Sequence, residues 1–149
     1  MVNREDSQSA MNSRGPTIFT ARIIKPGIAD APALVSLEPI GFLGGVDGTT
    51  GIVTERGHPL EGACVAGKVL VFPTGKGSTV GSYVLYELAA NGLAPAGIVN
   101  AESEPIVAVG AIISEIPMVD RVPIEQIRSG DRVRIDGATV EVWSVAGDA

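Results

Sequence analysis

Lys76, Gly77, Ser78 and Thr79 are the residues whose types and spacing could do chemistry. They lie in the run Val69-Leu70-Val71-Phe72-Pro73-Thr74-Gly75-Lys76-Gly77-Ser78-Thr79-Val80-Gly81-Ser82. An apolar β-branched segment stops at a proline, opens into a glycine-rich basic loop and enters a helical pattern. Such a junction leaves backbone N–H groups unsatisfied beside the positive end of a helix. Anions bind at such points, and a hydroxyl held there becomes easier to ionise. Ser78 and Thr79 stand at the expected helix start with Lys76 beside them. A reactive centre, if the chain has one, is expected here. The plainer alternative is a tight turn in which Ser78 or Thr79 caps the helix. The loop lacks the G-x-x-x-x-G-K-[ST] spacing of a nucleotide phosphate loop.

A second glycine loop, Gly44-Gly45-Val46-Asp47, offers another close approach, with Gly45 and Asp47 as support for a ligand. Its alternative is an Asx turn. His58 precedes a proline in a polar turn and reads as a surface residue. Cys64 reads as a buried, inert thiol. Glu102 and Glu104 flank a strand end, where they offer carboxylates to a site, with solvated loop carboxylates as the commoner alternative.

The elements that must position these loops follow from periodicity. Thr17 to Ile24, Ala33 to Ser36, Ile52 to Thr54, Lys68 to Phe72, Ala96 to Asn100 and Met118 to Arg121 read as strands. Ser78 to Asn91 is the clearest helix, with Val80, Tyr83, Val84, Leu88 and Ala89 on one stripe and Asn91-Gly92 as its stop. Glu104 to Ile113 fits helix or strand; a helix is expected because a strand–helix–strand unit needs a connector there. Val122 to Ile127 reads as a short helical turn. Asp131 to Ile135 and Thr139 to Val145 form a hairpin around Asp136-Gly137, a type I′ signal. The fold class is therefore α/β, of a β/β/α kind: a mixed sheet or open barrel with two packed helices. Met1 to Pro16, polar and rich in charge, reads as a disordered lead-in to a domain over residues 17–145.

The chain's 149 residues suit one domain with a sizeable core. A net charge of −6 argues against nucleic acid or an anionic membrane surface as partner. The sequence contains one cysteine and one histidine, too few for a self-contained iron–sulfur or zinc site, so no metal is expected on this chain. No secretory signal or run long enough for a membrane span is evident, and a cytoplasmic location is expected.

Five segments occur in order: Gly44-Gly45-Val46-Asp47, Thr50-Gly51-Ile52-Val53, Gly67 to Pro73, Gly75 to Tyr83 and Glu104 to Ile113. Together they closely resemble the small subunit of the aconitase X family over roughly Thr17 to Val142. The resemblance implies a swivelling domain of the aconitase superfamily that works as a heterodimer with a large subunit carrying an iron or iron–sulfur centre. It implies dehydration of a hydroxy acid, cis-3-hydroxy-L-proline in bacterial relatives and mevalonate 5-phosphate in archaeal ones. The N-terminal lead-in, together with family analogy, inclines the expectation toward hydroxyproline. The position matching the family's serine proton acceptor is Ser78.

Two other classes stand beside this one. A phosphohistidine-type mobile domain would need a histidine in the glycine-rich loop, where Ser78 stands instead. A non-catalytic module that binds a small anion at Gly77–Ser82 would use the same loop without turnover.

Overall fold

The structure is a computed structural model and describes residues 15–145. The lead-in expected over 1–16 therefore lies outside the described residues, apart from Gly15 and Pro16. Within these residues eight strands and two helices follow one another as β1 (Thr17–Thr20), β2 (Arg22–Lys25), β3 (Ile28–Val35), β4 (Val69–Phe72), α1 (Gly81–Ala90), β5 (Gly97–Asn100), α2 (Pro105–Ser114), β6 (Met118–Asp120), β7 (Arg132–Asp136) and β8 (Thr139–Trp143), with a 3-10 turn at Ile124–Gln126 before β7.

All eight strands join one mixed sheet in the order β1-β8-β7-β3-β4-β5-β6-β2. Its two outermost strands, β1 and β2, are consecutive in the chain and separated only by Ala21. A sheet whose far edges are joined by one residue must curl round, and the result is a nearly closed barrel. The stretch expected as one strand over Thr17 to Ile24 is thus two strands, because Ala21 hands the chain from one edge to the other. Its N–H donates to Ala138 O at 2.7 Å.

Strand β3 is the seam. Ile28 to Pro32 pair antiparallel with β7, whereas Ala33 to Val35 pair parallel with β4. It begins five residues earlier than the expected Ala33, because Ile28 to Pro32 find a partner in a hairpin far along the chain. That hairpin turns at Gly137-Ala138, with Asp136 opposite Thr139. Gly137 has φ 60°, and Ala138 is not in the left-handed region. The turn is therefore of the II′ kind, with glycine first, in place of the expected I′.

The parallel strands are buried on both faces. Val69, Val71, Val99 and Val119 point into the barrel toward Val133, Ile135, Val140 and Val142. Leu70, Phe72, Ile98 and Met118 point outward beneath the helices, against Leu85, Leu88, Val107 and Ala111. This two-sided burial is why β4 reads as an unbroken apolar run while β7 alternates.

Helix α1 begins at Gly81, three residues later than expected, since residues 78–80 form a turn of their own. Its buried face is Ser82, Val84, Leu85 and Leu88; Tyr83, expected on the inner stripe, is 67% exposed. Helix α2 is started by Glu104, whose carboxylate accepts from the N–H groups of Ile106 and Val107, with Pro105 in the first turn. The two helices cross closely at Gly110, where a Cβ would lie 2.6 Å from a Leu85 methyl carbon. Ile52 to Thr54, expected as a strand, makes only isolated bridges, Val46 with Val53 and Ile52 with Cys64. Tight turns at Gly51 and Gly57 leave the segment too short for a ladder.

Candidate active site

Strands β3, β4, β5 and β6 run parallel, so their carboxyl ends open on one edge of the sheet, where α/β folds gather ligand-binding loops. The loops there are laced together. Pro73 O accepts from both Ala101 N and Glu102 N at 3.0 Å, and Ala101 O accepts from Arg121 N at 3.0 Å.

After β3 and β4 the chain segments resume their parallel course. Ile40 N donates to Thr74 O, Lys76 N donates to Ile40 O, and Ile40 bridges Gly75. Gly41 thereby lies against Lys76, a Cβ on it falling 3.2 Å from Lys76 O. Gly45 closes on Gly41 from the other side: a Cβ there would sit 1.9 Å from Gly41 O, a distance no side chain can occupy. Phe42 anchors this loop in the core, its ring 6.2 Å from that of Phe72 in an edge-to-face arrangement. Gly77 turns the chain with φ 91°, a conformation that favours glycine, and delivers Ser78 to the surface.

The turn at 78–80 takes up the first N–H groups of α1. Gly81 N donates to Ser78 O, Ser82 N to Thr79 O and Tyr83 N to Val80 O. The expectation of free donors at the helix start is thus met one turn earlier. The N–H groups of Gly77, Ser78 and Thr79 have no acceptor among the described residues. Ser78 Oγ is exposed and accepts from Val80 N at 3.2 Å. That bond serves a turn, and it also favours negative charge on the same oxygen.

The other site residues expected from the sequence divide. Thr79 is exposed beside Ser78, and Gly45 is brought to the loop through Gly41. Lys76 does not aim a free charge at the hydroxyls: its ammonium group pairs with Glu55 at 2.9 Å. Asp47 is occupied locally, accepting from Thr49 N at 2.8 Å and Thr49 Oγ1 at 2.7 Å, bonds that lower its pKa. It forms an Asx turn, the plainer of its two readings.

His58 is buried, against the expectation of a surface residue. Its Nδ1 accepts from Leu60 N, so Nε2 carries the proton and donates to Pro39 O, both at 3.0 Å. A ring with both nitrogens engaged cannot serve as a phosphohistidine. Cys64 is half-buried, its thiol directed at Thr50 O. Among the described residues no three His, Cys, Asp or Glu side chains gather into a metal-holding group.

Three features of this edge escaped the sequence reading. Ser82 is buried and donates from Oγ to Ile106 O at 2.7 Å, tying α1 to α2. Asp120, at the end of β6, is fully buried and bonded bidentately by Arg22 across the β2–β6 pair. Burial pushes its carboxyl up, but Arg22 and Ser103 outweigh that and hold it at about 2. Glu104 caps α2 and lies over Gly75. Of these, only Glu104 left a legible signal, a capping residue directly before a proline at the helix start.

A model of the aconitase X swivel domain matches residues 18–142, nearly all of the described chain. The chain belongs to the aconitase X swivel-domain family. An aconitase X from Thermococcus kodakaraensis, solved in its holo-form, superposes with a TM-score of 0.84 at 49% identity, covering 86% of this chain and 99% of that one. Among curated relatives, the phosphomevalonate dehydratase small subunit of Methanocella arvoryzae is 62% identical over 114 residues, which is 74% of this chain and 86% of the relative. That of Methanosarcina acetivorans is 56% identical over 126 residues, or 83% and 88% of the two chains. As an aconitase X swivel domain matched to dehydratase small subunits, the chain is a subunit of a hydro-lyase. The inclination toward cis-3-hydroxy-L-proline finds no support in these relatives, which are named for the other substrate. It rested on the N-terminal extension and on family analogy, and the N-terminal extension lies almost wholly outside the described residues. No helix among the described residues is long and apolar enough to cross a membrane.

Proposed function

We propose that this chain is the small subunit of a phosphomevalonate dehydratase and that Ser78 accepts the proton removed from mevalonate 5-phosphate. The observation that carries the substrate is the 62% identity to the Methanocella arvoryzae small subunit across 86% of that protein. What supports the residue is its exposure at the carboxyl edge of the parallel strands, its bond from Val80 N and the three unengaged N–H groups around it.

The reaction removes a proton from the carbon next to the carboxylate and expels the hydroxyl from the following carbon, forming a double bond and water. A serine is a weak base because its alkoxide is unstable in water. The Val80 N–H directed at Oγ lowers that cost, and the neighbouring N–H groups of Gly77, Ser78 and Thr79 add partial positive charge. Ser78, ionised to its alkoxide, takes the α-proton on Oγ as the negative charge shifts toward the substrate carboxylate. The hydroxide expelled from the next carbon is converted to water by the proton that Ser78 gives up in returning to the alkoxide, so alkene and water are the net products.

The described residues do not suit an iron or iron–sulfur centre: the single thiol and the single imidazole are both engaged in local hydrogen bonds. The centre is therefore assigned to a large subunit, against which this domain presents the Ser78 loop. Reconstitution with that subunit tests the assignment, turnover being measured on mevalonate 5-phosphate and on cis-3-hydroxy-L-proline. Turnover of the phosphorylated substrate with a kcat/KM at least about 100-fold higher is expected, a difference of about 2.7 kcal/mol in transition-state binding. Preference for hydroxyproline would overturn the substrate assignment.

A further inference from the structure

Helix α2 carries an apolar or small side chain at nine of its ten positions, Ser114 being the exception. A helix apolar on all sides is ordinarily covered on all sides. Here only Val107, Gly110 and Ala111 are buried, while Val109, Ile112 and Ile113, at the three- and four-residue spacing of a packing stripe, are 45–48% exposed. Beside them α1 exposes Tyr83 at 67% and Tyr86 at 54%, and Val80 just before it is 47% exposed. Between the helices runs an open groove of about 450 Å³, whose walls include Thr79, Val80, Tyr83, Ile106, Val109 and Ile113. No charged side chain lines it.

We propose that this groove is the docking surface for the large subunit, which lays an apolar ridge between α1 and α2. The inference rests on the reading of Ser78 as proton acceptor for a site in another chain. Thr79 and Val80 form the groove's upper end and directly follow Ser78 in the same turn. Whatever chain holds the substrate against Ser78 must therefore reach the end of the groove. A second copy of this chain seated there would cover that turn and shut Ser78 away from substrate, which disfavours self-association as the occupant. The groove is thus an apolar track that reaches the turn carrying Ser78, through Thr79 and Val80, and its occupancy sets the distance between that turn and the partner's substrate.

The test titrates the full-length chain with the purified large subunit and reads affinity by calorimetry and turnover at saturation. Tyr83→Glu and Val109→Glu place a charge in the proposed contact. Each is expected to weaken binding by roughly 100-fold or more, because a charge buried without a partner is costly. Both positions are about half exposed or more in the chain alone, so its melting temperature should move by no more than about 2 °C. The milder Val109→Ser should weaken binding by about 10-fold if the glutamates disturb folding. Ile28→Glu, on a residue 62% exposed at the opposite end of the sheet, should leave affinity unchanged.

Wild-type affinity in both glutamate variants, or equal loss in Ile28→Glu, would overturn the docking surface. So would a self-associated chain that Val109→Glu makes monomeric while its affinity for the large subunit is kept. The catalytic reading fails by a different signature: Ser78→Ala binding with normal affinity and turning over normally. No binding of the wild-type chain to the large subunit would overturn both.

Discussion

Ser82 Oγ donates to the carbonyl oxygen of Ile106 at 2.7 Å, joining the first turns of α1 and α2 directly beneath the Ser78 loop. This bond separates two hydroxyls that the sequence presents as near equals. Ser82→Ala removes this tie between the helices and should cost about 1 kcal/mol of stability, read as a lower melting temperature. Its effect on kcat in the reconstituted enzyme should stay within about tenfold, since the hydroxyl is turned into the helix pair and away from the surface.

Ser78→Ala should behave in the opposite way. The exposed hydroxyl contributes a turn bond to Val80 N, so its loss should cost at most about 1 kcal/mol of stability. If Oγ is the proton acceptor, kcat falls by at least about 1,000-fold with KM little changed. Thr79→Ala, which removes an exposed hydroxyl from the same turn, serves as the control and should retain most of the activity. Near-normal kcat in Ser78→Ala would reduce the residue to a turn former.

Gly45→Ala should damage the loop without touching substrate. A methyl group 1.9 Å from Gly41 O forces the two loops apart, and Gly41 is the residue packed against Lys76. A loss of about 2–4 kcal/mol is expected, with reduced turnover in whatever protein remains folded. Gly44→Ala, where nothing stands within 4 Å of the Cβ but φ is 79°, should cost less, about 1–2 kcal/mol. Equal stability of Gly45→Ala and the wild type, measured by denaturant titration, would contradict this packing.

Asp120 sets an acid limit on stability. Its folded pKa, held at about 2, lies below the usual carboxylate value. The unfolded chain therefore binds this proton more readily than the folded one as pH falls. The stabilisation is complete above about pH 5 and is lost progressively as pH drops toward 2. The exposed side of Arg22 limits it to about 1–2 kcal/mol. Asp120→Asn should flatten that part of the stability–pH curve. An unchanged acid slope in the variant would remove Asp120 from this role.

Glu115 follows α2 with φ 56°, the left-handed conformation in which a helix end favours glycine. Glu115→Gly relieves that strain at an exposed position and should raise stability by about 1 kcal/mol. A fall in melting temperature would show that the side chain contributes more than its backbone costs.

The local features of this protein were legible in its residues. The apolar run over Lys68 to Phe72 read as a buried strand, the Gly75-Lys76-Gly77 loop followed it, and Ser78 and Thr79 stood as the hydroxyls at its exit, Ser78 being singled out by the family resemblance. Helix α1 and the terminal hairpin carried their own periodicity and turn residues, whereas α2 fitted helix or strand and was expected as a helix from the need for a connector. Those signals are local because they arise from backbone geometry and from one side chain's neighbours in sequence.

Tertiary structure decided everything that depends on partners far along the chain. Nothing local tells that Thr17–Thr20 and Arg22–Lys25 lie on opposite edges of the sheet, because their hydrogen-bonding partners are Thr139–Val142 and Met118–Asp120. Lys76 looked like a free cation beside a serine until Glu55, 21 residues away, was found on its ammonium group. His58 looked exposed in a polar turn, yet Pro39 O and Leu60 N claim both of its ring nitrogens. Gly45 could be recognised as a turn glycine, but its collision with Gly41 O exists only once Phe42 is packed on Phe72. The residue types specify which groups could react; the closing of distant segments around them decides which of those groups remain free to do so.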